Sequence, residues 1–378
     1  MKRFLSTVAA LGLTALGTVA VAVPAHAAHA ANVVTVLPSQ SVQAAVDAAQ
    51  PGDTIQLVAG VYQQSVQITT NDITLQGAGN GTGGTVLEPA AVPANNMCAQ
   101  VPPDVGAHPG GGICVFGNFS TTTGAITSRV TGVHVTGIQL DNWPGDGVAV
   151  FASDHVHIDH VTAVNSGTYG FAVLASTNGA LNNDVVNGIQ FKDGSGMFLG
   201  DLPASHMSFV GNTVTNAKLG MFMQDVGDVV FAGNTATGNC VGALLLDDNQ
   251  PDDGQPNVSG NIAILGNTLN NNNDTCPAVP REGQPTIQGT GLLMLGTSTT
   301  VIAGNTTNGN VGQQALSGGI VMDSGAPYQG LDESNDVIGG NSAHNNGPVD
   351  MQWDQLGTGI SYEGNNCATS TPSGLCGS

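Results

Sequence analysis

The stretches FVGNTVTNAKLGMFMQD (residues 209–225) and FAGNTATGNCVGALLLD (residues 231–247) share one layout. An apolar pair leads into Gly-Asn-Thr, a few polar residues follow, and a Gly then opens an apolar run that ends in Asp. The Gly-Asn pair recurs as Gly211-Asn212, Gly233-Asn234, Gly266-Asn267, Gly304-Asn305, Gly340-Asn341 and Gly364-Asn365. Asp159-His160 and Asn182-Asn183 read as two looser copies upstream. The spacing runs from about 22 to 38 residues, and the longer gaps hold insertions at residues 248–257 and 270–288. A period in the twenties predicts a solenoid.

Each unit carries two apolar runs of three to five residues, bounded by Gly and Asn and too short for helices. The second runs are GVAVF (147–151), GFAVL (170–174), GMFLG (196–200), GMFMQ (220–224), GALLL (242–246), GLLML (291–295) and GIVMD (319–323). Such runs predict strands. Stacked rung on rung, they predict an all-β chain folded as a parallel β-helix. The first and third residues after each Gly then face the core: Val148 and Val150, Phe171 and Val173, Met197 and Leu199, Met221 and Met223. The intervening residues Ala172, Phe198, Phe222, Leu244 and Leu293 face outward, and an outward apolar stripe requires cover. The segments around Cys98 to Cys114 and Cys276 to Gln288 are the expected cover. The Asn column is expected to turn the corners, because Asn tolerates left-handed backbone, and to hydrogen-bond along the stack.

A solenoid needs ends that do not propagate. SVQAAVDAAQ (41–50) reads as a short amphipathic helix capped by Ser39 or Ser41, with Val42, Ala45, Val46 and Ala49 on its apolar face. Pro51-Gly52-Asp53 then turns into a strand at residues 54–58. Residues 31–60 form the expected N-terminal cap, and residues 366–378 a tail that blunts the other end, of one domain spanning 31–378.

Lys2 and Arg3 precede an apolar run from residue 4 to 23, and the small-x-small sites Ala25-His26-Ala27 and Ala28-His29-Ala30 follow. Residues 1–30 therefore read as a secretory signal. No later segment is long and apolar enough to predict a membrane span. Four Lys and Arg remain beyond that leader against 27 acidic residues, which argues against nucleic acid as a partner and favours cations. Six cysteines in an exported chain predict disulfides, for which 15 pairings exist. The repeat register points to local ones. Cys240 and Cys276 leave the same corner on adjacent rungs, six residues past Asn234 and nine past Asn267, and Cys98–Cys114 and Cys367–Cys376 complete the set.

SVQAAVDAAQPGDTIQLVAGVY (41–62), followed by ITLQGAG (73–79), resembles the opening of secreted right-handed parallel β-helix proteins of the pectin-lyase-like superfamily. The rungs from residue 130 to 366 resemble the same family's repeats. The resemblance implies a right-handed solenoid and an extracellular polysaccharide as partner. Members include pectate lyases, polygalacturonases and uronan epimerases, but also tailspikes, adhesins and periplasmic maturation factors. Gly-His-Gly, Arg-x-Lys of the polygalacturonase kind and Asp-Pro-His are absent from this chain. Two readings therefore stand. One is a polysaccharide lyase or glycoside hydrolase. The other is a non-catalytic cell-envelope or surface protein that uses the solenoid for binding or assembly.

Asp201, Asp225 and Asp247 each lie five residues past a strand Gly on consecutive rungs. With rungs about 4.8 Å apart, three carboxylates form a column that caps turns, binds a cation or serves catalysis. Ca²⁺ is the expected cation on an exported protein. Lys192 and Lys218 precede two of these strands, and carboxylates with a base are what proton abstraction from a uronate requires. Trp143, in DNWPGDG, is a candidate sugar-stacking residue. In HVHIDH, His155 and His157 alternate onto one expected face, with no third metal ligand evident.

Overall fold

A computed structural model describes residues 30–90, 96–100, 110–120, 125–191, 194–202, 204–248, 259–276 and 287–377. The leader residues 1–29 and Lys192 lie outside them.

Each turn of the chain lays one strand into each of three parallel sheets. In one rung Met207–Val210 lies in sheet A and Thr213–Thr215 in sheet B. Leu219–Ala232 then runs along sheet C and rounds the corner into the next strand of sheet A without a break. Sheet C holds the Gly-led runs. Its register stacks Met197, Met221, Ala243, Leu292, Ile320 and Met351 in one inward column. Leu199, Met223, Leu245, Met294 and Met322 stack in the next. Both columns belong to the main core with Val148, Val150, Phe171 and Val173, as the period-two reading requires. The result is a parallel β-helix.

The corners work differently from the sequence expectation. The Gly of each Gly-Asn pair takes the left-handed backbone, with φ between 60° and 70° at Gly211, Gly233, Gly266, Gly304, Gly340 and Gly364. His160 (φ 54°) and Asn183 (φ 56°) hold the same corner on earlier rungs. The looser copies are thus His160-Val161 and Asn183-Asp184, one residue later than the sequence reading set them. The Asn that follows each corner Gly is buried and builds the ladder. Asn234 donates from its backbone N–H (2.8 Å) and its Nδ2 (3.0 Å) to Asn267 Oδ1, and from Nδ2 to Phe209 O (2.9 Å). The same pattern links Asn267 to Asn305, Asn305 to Asn341 and Asn341 to Asn365. Asp184 heads the column, where its Oδ1 accepts from Val161 N.

A second ladder, Asn239–Asn272–Asn310–Asn346, lines the corner before sheet C and ends on Asp350 Oδ1. This ladder explains the strand glycines. A Cβ on Gly242 would sit 2.6 Å from Gly291 O and 2.8 Å from Asn272 Nδ2. Space, not φ, therefore demands Gly there.

The ends are plugged. Ser41 Oγ accepts from Ala44 N and caps helix Val42–Ala48, which buries Val42 and Val46 over the first rungs. At the other end Leu375 is buried against the core, and Asn365 Nδ2 donates to its carbonyl. The three disulfides are Cys98–Cys114, Cys240–Cys276 and Cys367–Cys376, with Cα separations of 5.4, 5.7 and 5.2 Å. No helix among the described residues is long and apolar enough to cross a membrane.

Candidate functional site

The outward face of sheet C is apolar and largely covered. Val241, Leu244, Leu246, Leu293, Leu295 and Val321 pack under Leu316 and Tyr328. Nearer the N-terminus, Cys98 and Cys114 pack with Phe116 and Ala149. Between these covers lies a short aromatic strip. Tyr169 stacks on Phe198 at 4.9 Å, and Phe198 meets Phe222 at 5.2 Å.

The strand ends of sheet C carry the acids. Gly200, Gln224, Leu246, Leu295 and Asp323 are register partners, so Asp201, Asp225, Asp247, Gly296 and Ser324 occupy the next position. On five rungs this position is a corner with left-handed backbone: φ is 53° at Ala152, 48° at Ala175, 55° at Asp201, 50° at Asp225 and 74° at Gly296. A short polar side chain tolerates that conformation better than most.

Asp225 is fully buried; its Oδ1 accepts from Asp248 N (3.1 Å) and its Oδ2 has no hydrogen-bond partner. Burial first, then the neighbouring Asp248 and Asp247, push its carboxyl up to about 9. Asp247 is equally buried and accepts from Ser259 N (3.1 Å), which ties the two ends of an excursion together. Asp248 accepts from Gln224 Nε2 (2.9 Å). Asp201 stays half-buried. Among the described residues no group of three or more His, Cys, Asp or Glu is arranged to hold a metal ion.

Three expectations fail on geometry. Lys218 lies at the opposite end of the strand from Asp225, seven residues or roughly 20 Å away in extended chain, and its Nζ pairs with Asp274 Oδ2 at 3.4 Å. It therefore does not join the acids. Trp143 is 2% exposed, packs in the main core and donates from Nε1 to Leu87 O, so it offers no face to a sugar. His155 and His157 also part, because His155 sits at a corner (φ 55°) and breaks the alternation. The register partner of His157 is His134, on the adjacent rung.

The accessible acids are elsewhere. Asp323 and Asp354 follow register partners Met322 and Trp353 and face each other across adjacent rungs. One backbone N–H, that of Ser324, reaches both: Asp323 Oδ1 at 3.0 Å and Asp354 Oδ2 at 2.9 Å. The two carboxyls thus lie side by side against one N–H. Burial and the adjoining Asp354 push Asp323 up to about 6. Asp323 thus keeps its proton into mildly acidic pH, beyond the usual carboxylate range. Ser324 Oγ donates to Asp332, and Leu356 N to Asp354 Oδ1 (2.8 Å). Glu333 lies buried behind them, accepts from Gly296 N and is pushed by burial to about 8. Tyr328 is the apolar lid over Leu244 and Leu293, and burial, then Asp323, raise its hydroxyl to about 12.

The sequence reading missed this pair because it counted five residues past each strand Gly, which lands on Ser324. The signal was present at four. GIVMD (319–323) and DMQWD (350–354) are the same unit, with Asp350 standing in the glycine column.

A family model described as "Right handed beta helix region" matches residues 59–261. Among solved structures, the A-module of a mannuronan C-5 epimerase of Azotobacter vinelandii is similar with a TM-score of 0.59 at 18% identity, over 87% of this chain and 91% of that one. DFA-IIIase from Arthrobacter chlorophenolicus A6, without its lid, is similar with a TM-score of 0.60 at 13% identity, over 90% and 89%. Likenesses at such identities speak for the fold. A search of curated proteins finds no significant match.

Proposed function

Because the chain belongs to the right-handed β-helix family, we propose that it is an exported enzyme that cleaves an extracellular polysaccharide at the strand ends of sheet C. The observation that carries the reading is the half-buried Asp323–Asp354 pair joined by one N–H. Three disulfides support an exported chain. Its similarity to polysaccharide-processing solenoids supports the substrate class.

Asp323, which burial and then Asp354 keep protonated at mildly acidic pH, would give its proton to a glycosidic oxygen. The water that attacks the sugar leaves its own proton on a carboxylate, for which Asp332 is the nearest further acid through Ser324. The two members of the pair accept from one N–H, and they act as one acid rather than as separate acid and nucleophile. Half-buried Tyr169 and Phe222, which flank buried Phe198 a few rungs away on the same sheet, offer sugar rings an apolar rest.

The band is acidic and Lys218 is engaged elsewhere, which favours a neutral sugar. A uronate substrate would require a cation between its carboxylate and these acids, and Ca²⁺ is the one such oxygens take. The test is a panel of neutral and uronate polysaccharides, with and without Ca²⁺, read by new reducing ends and by unsaturated product. Asp323→Asn is expected to lower turnover about 100-fold or more with an unchanged melting temperature. Activity confined to uronates in the presence of Ca²⁺ would shift the reading to a lyase. Full activity of the variant would remove this pair from the chemistry.

The second reading, a non-catalytic surface protein built for assembly, draws support from one observation: among the described residues nothing covers the outward valines of sheet A as Leu316 and Tyr328 cover sheet C.

A further inference from the structure

The chain has two tryptophans, and their surroundings are opposite. Trp143 is closed inside the core. Trp353 is half-buried and immediately precedes Asp354 of the acid pair. Its register partner on the preceding rung is Met322, in an inward column of sheet C. On the other side the last strand of that sheet, Ser370–Thr371, pairs with Met351 and Gln352 and stops short of the position beneath Trp353. Trp353 therefore ends its column, and no described strand of sheet C stacks on it. Its ring packs against Tyr362, with centroids 5.9 Å apart and planes tilted by 38°. Tyr362 is held in turn by its hydroxyl, which donates to Met322 Sδ (3.0 Å).

The turn that follows ties this indole to the acid. Trp353 Nε1 donates to Leu356 O (3.1 Å), and Leu356 N donates to Asp354 Oδ1 (2.8 Å). Both bonds lie at the surface. One residue thus sets both side chains. Through it the indole nitrogen lies within about 10 Å of the carboxylate, roughly the span of one or two sugar rings. The side chain of Leu356 is itself 49% exposed and adds apolar surface at the same turn.

We propose that Trp353 is the platform of a sugar-binding subsite on the C-terminal side of the acid pair, where an uncharged glycosyl ring stacks while a nearby glycosidic oxygen meets Asp323. The subsite rests on the reading of that pair as the acid of a glycan-cleaving site. A flat aromatic face with polar edges suits a sugar ring, whose C–H face packs while its hydroxyls bond at the rim. The edges here are acceptors, Leu356 O and the carboxyl oxygens, which hydroxyl donors can share. A net charge of −21 disfavours an anionic ring. An organic cation is the competing occupant of a tryptophan beside carboxylates. Asp354 already accepts N–H donors at both oxygens, from Ser324 and from Leu356, which favours the neutral ring.

Intrinsic fluorescence tests this apart from turnover. The probes are cellohexaose, xylohexaose, mannohexaose and a fructo-oligosaccharide, titrated into the parent chain and into Asp323→Asn, with choline as the cationic control. Trp143 is out of reach of solvent, so a saturable change in emission with protection from acrylamide quenching reports Trp353. At least one oligosaccharide is expected to give both, in the parent and in Asp323→Asn alike. By titration calorimetry Trp353→Ala is expected to weaken that binding, and in turnover to raise KM, about 10-fold or more, with a smaller change in kcat. Trp353→Phe keeps a ring and is expected to recover much of the loss. Melting temperatures show that each variant is folded, and the quenching measurement on the parent needs no variant. A chain that responds to none of the oligosaccharides, or to choline alone, overturns the subsite, as does unchanged affinity in Trp353→Ala. Full activity of Asp323→Asn with the fluorescence response intact would strike the acid pair and leave the subsite. An inactive Asp323→Asn without a response in either chain would do the reverse.

Discussion

Sheets A and C are built from the same rungs and carry the same kind of outward residue, yet they meet solvent differently. Leu244, Leu293 and Val321 on sheet C lie under Leu316 and Tyr328. Val230, Val301 and Val337 on sheet A remain more than 40% exposed. The repeat itself is indifferent to which outward face is covered. Insertions decide it. They enter before and after the strands of sheet C, where the Cys240–Cys276 disulfide anchors one of them, and there they raise a rim of acids around an apolar floor. Among the described residues none packs over the outward valines of sheet A, which stay exposed.

The largest test of this contrast is a charge placed on each face. Leu293→Asp buries a carboxylate beneath Tyr328 and is expected to cost more than about 4 kcal/mol, a fall in melting temperature of about 10 °C or a chain that does not accumulate folded. Val301→Asp, on the exposed face, is expected to stay within about 1 kcal/mol of the parent. Equal effects at the two sites would mean that the cover on sheet C is not packed.

The acids around the covered face set the pH response. Burial raises Asp225 to about 9, Asp146 and Glu333 to about 8, Asp336 to about 7 and Asp323 to about 6. The unfolded chain ionises its carboxyls near pH 4. From there upward the folded state holds more protons than the unfolded one, so stability falls as pH rises, until these folded values are passed. Asp154, Asp159 and Asp350 are shifted down, and their contribution is lost only as pH falls below the usual carboxylate range. The melting temperature is expected to peak near pH 4–5 and to decline steadily toward pH 8–9, read by calorimetry. A flat profile would show that the acids are not held neutral.

A smaller effect isolates one of them. Asp225→Asn keeps the shape and the acceptor for Asp248 N while removing the ionisation. It is expected to raise the melting temperature by a few degrees at about pH 8 and to leave it unchanged near pH 4. The smallest effect is expected at Asp201, half-buried at a corner that Ala and Gly also fill on other rungs. Asp201→Asn should alter neither stability nor turnover measurably, since Asn serves left-handed corners as well. Should millimolar Ca²⁺ raise the melting temperature of the parent but not of Asp201→Asn, the column would be a cation site after all.

Much of the fold was readable because it is periodic. The inward columns through Met197 and Leu199, the three local disulfides and the capping helix all follow from apolar spacing, Gly-Asn recurrence and Ser41. The errors were errors of one residue. Reading Asp159-His160 in place of His160-Val161 shifted two early rungs, and counting to Ser324 passed over Asp323. A solenoid amplifies such slips, because each position in a rung has its own environment. The second Asn ladder was equally available, five residues beyond the first. Trp143 shows the opposite limit: an aromatic beside acids reads as a surface feature until its neighbours close around it.

The sequence alone determined the period, the stacked inward columns and the acidic charge, because these depend on residue type along one chain. Only the tertiary structure decided which outward face is covered, which acids are buried and that Asp323 meets Asp354. Those outcomes depend on where insertions fold back over the sheets and on the register between rungs separated by about 30 residues. No local pattern encodes that alignment, so a carboxyl held neutral by its neighbour is visible only once the rungs are stacked.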